Sequence, residues 1–498
     1  MWRERPEPVH LVQTAIASLA QLTPNTSGAL RAPPGRRGLR ARKKHLKGER
    51  SGMPIKEKRT LGALGAVQHA RSIVAVSLGR TVAAASRTAG RGNGAVIGGK
   101  VALRLDPQLL ARLAKRVDVV LVSGTNGKTT TTRLISEGLR PAGPVMSNAL
   151  GANMPAGITT ALARSTHARL GVLEVDERYL ATVARDTDPM VIALLNLARD
   201  QLDRAGETRL LAQRWREGLS GTSAVVIANA DDPLVVWAAS SCRNVVWVAA
   251  GQAWREDSWS CPACGGVLHR PGHDWFCADC EFQRPEPNWS LAGSDVIDPR
   301  GEAWPIQLRL PGRANLANAA IATAVAGVFE VPPNRALQQM SMIEAVAGRY
   351  GIARYGGRDI RLLLAKNPAG WLETFTMIDD PGAPIVLAVN ALEADGTDTS
   401  WLWDVDFDRL ADHPVFIMGE RKKDLAVRLE VAGVQFRLVD SLAEAVAAAP
   451  AGRIEAVANY TAFQQIRRTL AKDARLAQLT TTAGGSRRDP GCRIGDDQ

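Results

Sequence analysis

The sequence predicts an α/β protein built on a doubly wound parallel sheet. Three short apolar runs support this fold class, because polar or turn residues follow each of them directly: 119–122, 191–195 and 224–228. Apolar strands that end in polar turns, with helices between them, are typical of βαβ units. The chain has 498 residues, which is too long for a single core and predicts several domains.

The first run leads into the segment 123–132, with the sequence SGTNGKTTTT. Gly124 and Gly127 allow a tight turn whose backbone N–H groups point at phosphate oxygens, and Lys128 supplies a positive charge for the β- and γ-phosphates. Position 122 is valine, so the loop is a shorter variant of the usual P-loop pattern. We predict that the nucleotide is bound by seven residues: Gly124, Thr125, Asn126, Gly127, Lys128, Thr129 and Thr130.

Acidic residues at the end of a later strand are candidate Mg²⁺ ligands. Glu174 and Glu177 follow an apolar run, where carboxylates and the hydroxyl of Thr129 can hold Mg²⁺ directly or through water. A solvated acidic loop is the alternative interpretation.

Two asparagines and one arginine are further candidates for nucleotide binding. Asn315 and Asn318 are three residues apart on a predicted helix that runs to about Val328, so they share a face and can grip a base edge or a ribose. Helix capping is the alternative for Asn315. Arg349 lies in the segment 348–351, which we predict to be a hinge, and it can reach a phosphate.

Four of the six cysteines form two C-x-x-C pairs that are twelve residues apart: Cys261, Cys264, Cys277 and Cys280. This spacing predicts one tetrahedral Zn²⁺ site. Four thiolates fill the coordination shell, so the site should be structural. Two disulfides are the alternative, and they would require an oxidising compartment.

A second set of strands, 360–364 and 385–389, predicts a further α/β domain. The loop after the second strand carries Asp395, Asp398 and Asp404, together with Trp401 and Trp403, whose rings we expect to pack. Because no histidine or cysteine lies close to them in sequence, one carboxylate could orient a histidine of another chain, as the acid of a triad does.

The net charge of +12 would suggest a nucleic-acid partner, but residues 1–52 alone contribute +8, so we predict no nucleic-acid binding. We interpret those residues as a disordered basic extension, either a mis-assigned start before Met53 or a contact for an anionic membrane. The predicted domains are the extension 1–52, a helical segment 53–112, an ATPase domain 113–345 with a zinc ribbon at about 255–285, an α/β domain 346–480, and a tail 481–498.

Taken together, these motifs resemble the Mur ligase superfamily from about Met53 to about Leu479. The segments that carry the resemblance are 124–129, 196–203, 229–233 and 312–318. The cysteine cluster and the segments 199–203, 366–370 and 395–404 resemble, more narrowly, the MurT family of synthetase subunits of lipid II isoglutaminyl synthase. The resemblance implies a Mur ligase-like P-loop ATPase domain and a Rossmann-like C-terminal domain.

The resemblance also implies an activity, partners and cofactors. A MurT-like chain uses ATP, Mg²⁺ and Zn²⁺, works in the cytoplasm at the inner face of the membrane, and amidates D-isoglutamate in lipid II. Ammonia comes from a GatD-type class I glutamine amidotransferase, whose Cys-His pair is completed by one of the three aspartates. A stand-alone amino-acid-adding ligase and a nucleotide-gated scaffold are the alternatives.

Two departures from the superfamily pattern concern the active site. Gln201 stands where those ligases have histidine, and no lysine occurs between Lys128 and Lys366, although the superfamily carries a carbamylated lysine there. We therefore expect Arg214 or Arg216 to supply the positive charge. The usual N-terminal UDP-sugar domain is also missing, which implies a substrate other than a free UDP-linked precursor.

Overall fold

The computed structural model describes residues 63–88, 95–148, 152–165, 167–200, 207–343 and 350–483. The predicted basic extension 1–52, most of the predicted tail, Gln201 and Arg349 lie outside these ranges. Among the described helices, none has both the length and the apolar character needed to cross a bilayer.

Eleven strands lie in the described middle part of the chain. They are β1 (Asp118–Ser123), β2 (Val145–Ser147), β3 (Leu170–Glu174), β4 (Val191–Leu194), β5 (Val225–Asn229), β6 (Val245–Ala249), β7 (Leu268–His269), β8 (Phe276–Cys277), β9 (Trp289–Ala292), β10 (Asp295–Ile297) and β11 (Ala303–Pro305). Nine of them form one sheet in the order β11-β10-β9-β6-β5-β4-β1-β3-β2, while β7 and β8 pair separately.

The strands β2 to β6, β1 and β9 run parallel, which confirms the predicted doubly wound α/β sheet. The antiparallel extension by β10 and β11 was not predicted. Strand β1 is central: Val120 pairs with Val172 on one side and with Val191 on the other. The strand order changes direction there, which is where sheets of this type bind ligands.

Helices cover both faces of this sheet. They are α1 (Ala63–Thr88), α2 (Ala95–Leu105), α3 (Leu109–Ala114), α4 (Lys128–Gly138), α5 (Pro155–Arg164), α6 (Leu180–Thr187), α7 (Thr208–Leu219), α8 (Pro233–Ala239), α9 (Arg313–Val328) and α10 (Pro333–Met340). One core joins the sheet to α4, α9 and α10, and a second joins it to α3 and α5 to α8.

The segment between β6 and β9 contains the four paired cysteines and has a small core of its own. Leu268 and Trp275 are buried there beside Cys261 and Cys277, and they contact Val236 of α8. The Trp275 indole donates to the Ala230 carbonyl at 3.1 Å, which holds this insert against the end of β5.

The C-terminal part of the chain forms a second sheet, in the order β12-β13-β17-β14-β15-β16. Its strands are β12 (Tyr350–Tyr355), β13 (Arg358–Leu364), β14 (Ile385–Ala388), β15 (Val415–Met418), β16 (Phe436–Leu438) and β17 (Ile454–Ala458), and its helices are α11 (Pro368–Phe375), α12 (Lys422–Val431), α13 (Leu442–Ala448) and α14 (Tyr460–Ala483). Only β12 and β13 pair antiparallel. Tyr350 and Gly351 begin β12 and pair in the ladder, while Gly348 and Arg349 lie outside the described residues, so the hinge stays a prediction.

Candidate functional site

The glycine loop connects β1 to α4, as the sequence predicts, and its two glycines are required by geometry. Gly127 has φ = 83°, a left-handed conformation that disfavours side chains, and a Cβ there would lie 2.8 Å from the Asn318 Oδ1. A Cβ on Gly124 would lie 2.9 Å from the Cβ of Leu195. The backbone of the loop therefore approaches both α9 and the end of β4 closely.

Residues after β4 hold this loop in place. The Asn126 backbone N–H donates to the Asn196 Oδ1 at 2.9 Å, and the Asn196 Nδ2 donates to the Asn126 carbonyl at 3.1 Å. The Thr125 hydroxyl donates to the Ala198 carbonyl at 3.0 Å. These bonds fix the cradle before any ligand binds, and they assign Thr125 a positioning role within the loop.

Lys128 is buried at the first turn of α4 and is surrounded by acceptors. Its ammonium donates to the Gly124 carbonyl at 2.5 Å and to the Glu177 Oε2 at 2.9 Å. Burial alone would lower its pKa, but the carboxylates of Glu177, Glu174 and Asp200 outweigh that effect and raise the pKa. Lys128 is therefore fully charged at neutral pH, beside the cradle of backbone N–H groups.

Oxygen ligands meet next to this lysine. The Thr129 hydroxyl donates to the Glu174 Oε2 at 2.9 Å, and the Asn153 Nδ2 donates to the Glu174 Oε1 at 3.2 Å. Hydroxyl and carboxylate oxygens in contact are the donor type that Mg²⁺ prefers, so the residues fit the predicted ion. The Glu177 carboxylate pairs with the ammonium of Lys128. Asn153 was missed, because it lies in a loop that no motif marks.

A cleft lies between the middle part of the chain and the C-terminal sheet. Asn126, Thr130, Asn315 and Asn318 line it from the middle part of the chain. The N-cap of α9 is Gly312, and the Asn315 Nδ2 donates backwards to the Pro311 carbonyl at 2.6 Å. Asn315 therefore does not cap the helix, and both asparagines face the cleft.

The C-terminal part of the chain reaches the glycine loop directly. The side-chain amides of Asn126 and Asn367 exchange two hydrogen bonds of 3.2 Å, and the Lys366 ammonium contacts the Asp200 Oδ2 at 2.6 Å. Although burial raises the pKa of Asp200, Lys366 and Lys128 lower it overall. In sequence, Lys366 and Asn367 are visible as polar residues after a strand, but their partners lie more than 160 residues away.

The two arginines that we expected to supply positive charge lie on α7. The Arg216 guanidinium lies 5.3 Å from the centre of the Trp237 ring and donates to the Trp237 carbonyl, while Arg214 is exposed on the same helix. For Arg216 the expectation is wrong, because Trp237 holds its guanidinium, and for Arg214 it stays a prediction. Lys366 brings a second ammonium beside Asp200.

The three aspartates of the loop after β14 have different environments. Asp395 is buried and accepts from the Thr461 N–H at 2.8 Å, from the Thr461 hydroxyl and from the Leu392 N–H. The Asp404 carboxylate lies 3.4 Å from the Arg199 guanidinium. Asp398 is exposed, and the backbone N–H of Ser400 donates to it at 2.8 Å and lowers its pKa.

The two tryptophans of this loop also differ in their packing and exposure. Trp401 packs against Trp371, with ring centres 6.0 Å apart, whereas Trp403 is 57% exposed. The packing prediction therefore holds for the Trp401 ring.

The four cysteine sulfurs of the insert lie within 4.8 Å of one another. The Cys261–Cys280 and Cys264–Cys277 sulfurs are 3.7 and 3.5 Å apart. Four sulfurs at about 2.3 Å from one ion would be roughly 3.8 Å apart, so the group fits tetrahedral Zn²⁺. All four are free thiols, which does not match the disulfide alternative.

Comparison with known proteins gives matches to both parts of the chain. Residues 122–326 match the family model of the Mur ligase middle domain, and residues 364–463 match that of the MurT ligase C-terminal domain. The chain is 32% identical over 377 residues to the lipid II isoglutaminyl synthase (glutamine-hydrolyzing) subunit MurT of Streptococcus pneumoniae, covering 69% of this chain and 83% of that protein.

Two further comparisons agree with these matches. The subunit of the same name from Staphylococcus aureus strain COL is 29% identical over 397 residues, covering 74% of this chain and 90% of that protein. Among solved structures, a pseudomurein peptide ligase type C from Methanothermus fervidus has a similar fold, with a TM-score of 0.57 at 18% identity over 72% of this chain and 79% of that one.

Proposed function

Since this chain belongs to the MurT family, we propose that it is the synthetase subunit that amidates the α-carboxylate of D-isoglutamate in the stem peptide of lipid II, using ATP. The observation that carries this proposal is the set of contacts around the glycine loop, which brings together the Thr129–Glu174 oxygens and the Lys366–Asn367 pair. These contacts support a site in which two ammonium groups and a cradle of N–H donors hold a terminal phosphate.

In the first step, a carboxylate oxygen of the substrate attacks the γ-phosphorus of ATP and ADP leaves, which forms an acyl phosphate. The N–H groups of residues 124–130 and the ammonium of Lys128 hold the phosphate oxygens, and Lys366 stabilises the negative charge as it moves. Mg²⁺, held by Thr129 and Glu174 with Glu177 nearby, would neutralise phosphate charge. Asn315, Asn318 and Arg349 are proposed to bind the remainder of the nucleotide.

In the second step, ammonia attacks the acyl carbon and phosphate leaves. We propose that the ammonia comes from glutamine hydrolysed by a GatD-type class I amidotransferase that forms a heterodimer with this chain. The Asn126–Asn367 and Lys366–Asp200 contacts join the two domains beside the cleft, which supports a site that would keep water from the acyl phosphate until ammonia arrives. The complex would work at the inner face of the cytoplasmic membrane, where its lipid-linked substrate lies.

The proposal is tested by mixing the purified chain with a class I amidotransferase and supplying lipid II, ATP and glutamine. We expect one ADP and one amide per glutamine consumed, and none of these products without ATP. Amide formation from a free amino acid by the chain alone would support the stand-alone ligase instead. ATP hydrolysis with no amide under any condition would support the scaffold alternative.

We propose that Asp398 completes the partner's Cys-His pair. It is exposed, and unlike those of Asp395 and Asp404, its oxygens do not contact Thr461 or Arg199. Asp398→Asn should lower glutamine hydrolysis in the complex by roughly 10³–10⁴-fold, since a triad acid fixes the histidine tautomer. ATP binding by the chain should be unchanged. Glutaminase activity and nucleotide affinity are the two measurements.

The other two aspartates provide the comparison. Asp395→Asn should lower the melting temperature, because it disturbs the bonds to Thr461, and Asp404→Asn should have a small effect on both readouts. If Asp404→Asn or Asp395→Asn stops glutamine hydrolysis in a folded complex while Asp398→Asn does not, our assignment is wrong. If none of the three does, the triad idea itself is wrong.

Lys366→Ala should lower the turnover of ATP by about 100-fold, because one of two cations facing the phosphates is lost. We expect kcat to fall more than the affinity for ATP, since the lysine acts on charge that develops during transfer. Lys423→Ala, which removes an exposed lysine of the same domain, is the matched control and should change neither. Unaltered kcat in Lys366→Ala would remove this lysine from the mechanism.

A further inference from the structure

The first two helices bury mainly small residues and leave several large apolar residues exposed, although Val76 and Leu103 pack against the core. On α1, Ala75, Gly79 and Ala83 are buried. On the same helix, Ile73 and Val74 are each 54% exposed, and Leu78 is 46% exposed. Burying those three side chains would stabilise the fold more than burying alanine and glycine, so packing within the described residues does not explain the pattern.

The small residues have a clear structural use. A Cβ on Gly79 would lie 2.8 Å from the Gly98 carbonyl oxygen, and a Cβ on Gly98 would lie 2.5 Å from the Gly79 carbonyl oxygen. A Cβ on Gly99 would lie 1.9 Å from the Ala156 carbonyl oxygen of α5. The backbones of α1, α2 and α5 are therefore in direct contact, and the outward faces are held rigidly on the middle domain.

The outward side of α2 continues the pattern. Ile97 is 42% exposed and Leu105 is 39% exposed, and Lys100 and Arg104 on the same helix are exposed as well. At 100° per residue, the exposed apolar residues of α1 lie within one arc of about 140°, with Arg71 and Arg80 at its two edges. We call Ile73, Val74, Leu78, Ile97 and Leu105 the N-terminal apolar face.

The charged residues of α1 and α2 indicate which kind of surface the N-terminal apolar face can bind. The sequence from Ala63 to Leu105 contains six Lys or Arg residues and no Asp or Glu. The arginines at the edges bond to backbone carbonyls: Arg71 donates to the Leu105 carbonyl at 2.7 Å, and Arg80 donates to the Ala163 carbonyl at 2.5 Å. Exposed apolar side chains accompanied by cations and by no carboxylate match the acyl and headgroup layers of an anionic bilayer.

We propose that the N-terminal apolar face docks on the surface of an anionic lipid bilayer, with α1 and α2 lying in the interface. Neither helix crosses it, since no described helix is suited to spanning. The face is also close to the chemistry. α2 rests on α5, and Asn153, two residues before α5, contacts Glu174.

The test is co-sedimentation of the full-length chain with vesicles of phosphatidylcholine, alone or mixed with phosphatidylglycerol. We expect binding to the mixed vesicles, little binding to the neutral ones, and weaker binding as salt is raised. The vesicles contain no substrate, so the result does not depend on the amidation reaction. Failure of the wild-type chain to bind mixed vesicles would overturn the proposal.

Two variants test the face itself. Ile73→Ser/Val74→Ser/Leu78→Ser should weaken binding at least about tenfold through lost apolar insertion, and Lys100→Glu/Arg104→Glu should do so through lost attraction. The matched control is Val427→Ser/Val431→Ser/Leu438→Ser, which removes three exposed apolar residues of the C-terminal domain and should bind like wild type.

Circular dichroism and light scattering accompany each variant. The proposal is overturned if the triple α1 variant is folded and binds vesicles as wild type does, because the basic residues 1–52 would then account for the binding. It is also overturned if that variant changes the oligomeric state instead of vesicle binding, because the face would then be a protein interface.

Discussion

Lys128→Ala should abolish ATP turnover, with a loss on the order of 10³-fold or more. Lys128 is the cation of the glycine loop, and a preorganised charge at a transferring phosphoryl group supplies several kcal/mol of transition-state stabilisation. Its ammonium donates to three acceptors: the Gly124 carbonyl at 2.5 Å, the Glu177 carboxylate at 2.9 Å and the Thr125 carbonyl at 3.1 Å. Phosphate release measured with saturating ATP is the assay.

The same change also affects folding, and the two effects can be separated. Removing Lys128 leaves Glu177 as a buried carboxylate without its cation, which should lower the free energy of unfolding by roughly 3–5 kcal/mol. The double variant Lys128→Ala/Glu177→Gln removes the unpaired charge, so it should recover much of the stability and none of the turnover. Lys115→Ala, an exposed lysine, is the control. Near-normal turnover in a folded Lys128→Ala protein would disprove the assignment of the loop.

Cys261→Ser should bring the zinc content from one per chain toward zero and unfold the insert. The insert core contains few residues, and metal binding at such sites is worth roughly 10–16 kcal/mol of apparent free energy. Trp275 is buried in that core and should become solvent-exposed, so the total fluorescence of the twelve tryptophans should change as well. Metal content by elemental analysis is the primary measurement.

Cys242→Ser provides the matched control for the cysteine change. Cys242 is a half-buried free thiol that lies near the Leu219 carbonyl and does not belong to the cluster. The Cys242→Ser variant should leave both the zinc content and the tryptophan fluorescence unchanged. Retention of a full equivalent of zinc by Cys261→Ser would exclude the four-cysteine site.

Local features of this chain were predictable because each depends on neighbours in sequence. The glycine loop, the strands before it and the C-x-x-C pairs are set by residues within a few positions of one another, and the structure has them at those positions. Likewise, Thr129 and Glu174 could be paired in advance because the ends of parallel strands β1 and β3 share one edge of the sheet.

Features that depend on distant packing were not predictable. Nothing near Lys366 in sequence indicates that it bonds to Asp200, and nothing near Arg216 indicates that it stacks on Trp237. The different environments of Asp395 and Asp398 also follow from α14, which brings Thr461 to one of them. The outward position of Ile73 is a similar case, because hydrophobic periodicity alone assigns large apolar residues to a core.

The position of the cysteine-rich insert has a consequence for the sheet itself. The chain leaves the sheet after β6 and returns in β9, which pairs directly with β6 through Val248 and Trp289. The two strands run parallel, so a tight hairpin cannot join them, and the chain needs a long crossover at this point. The segment that carries the cysteines is that crossover, so deleting it would leave β9, β10 and β11 without a connection of sufficient length to β6.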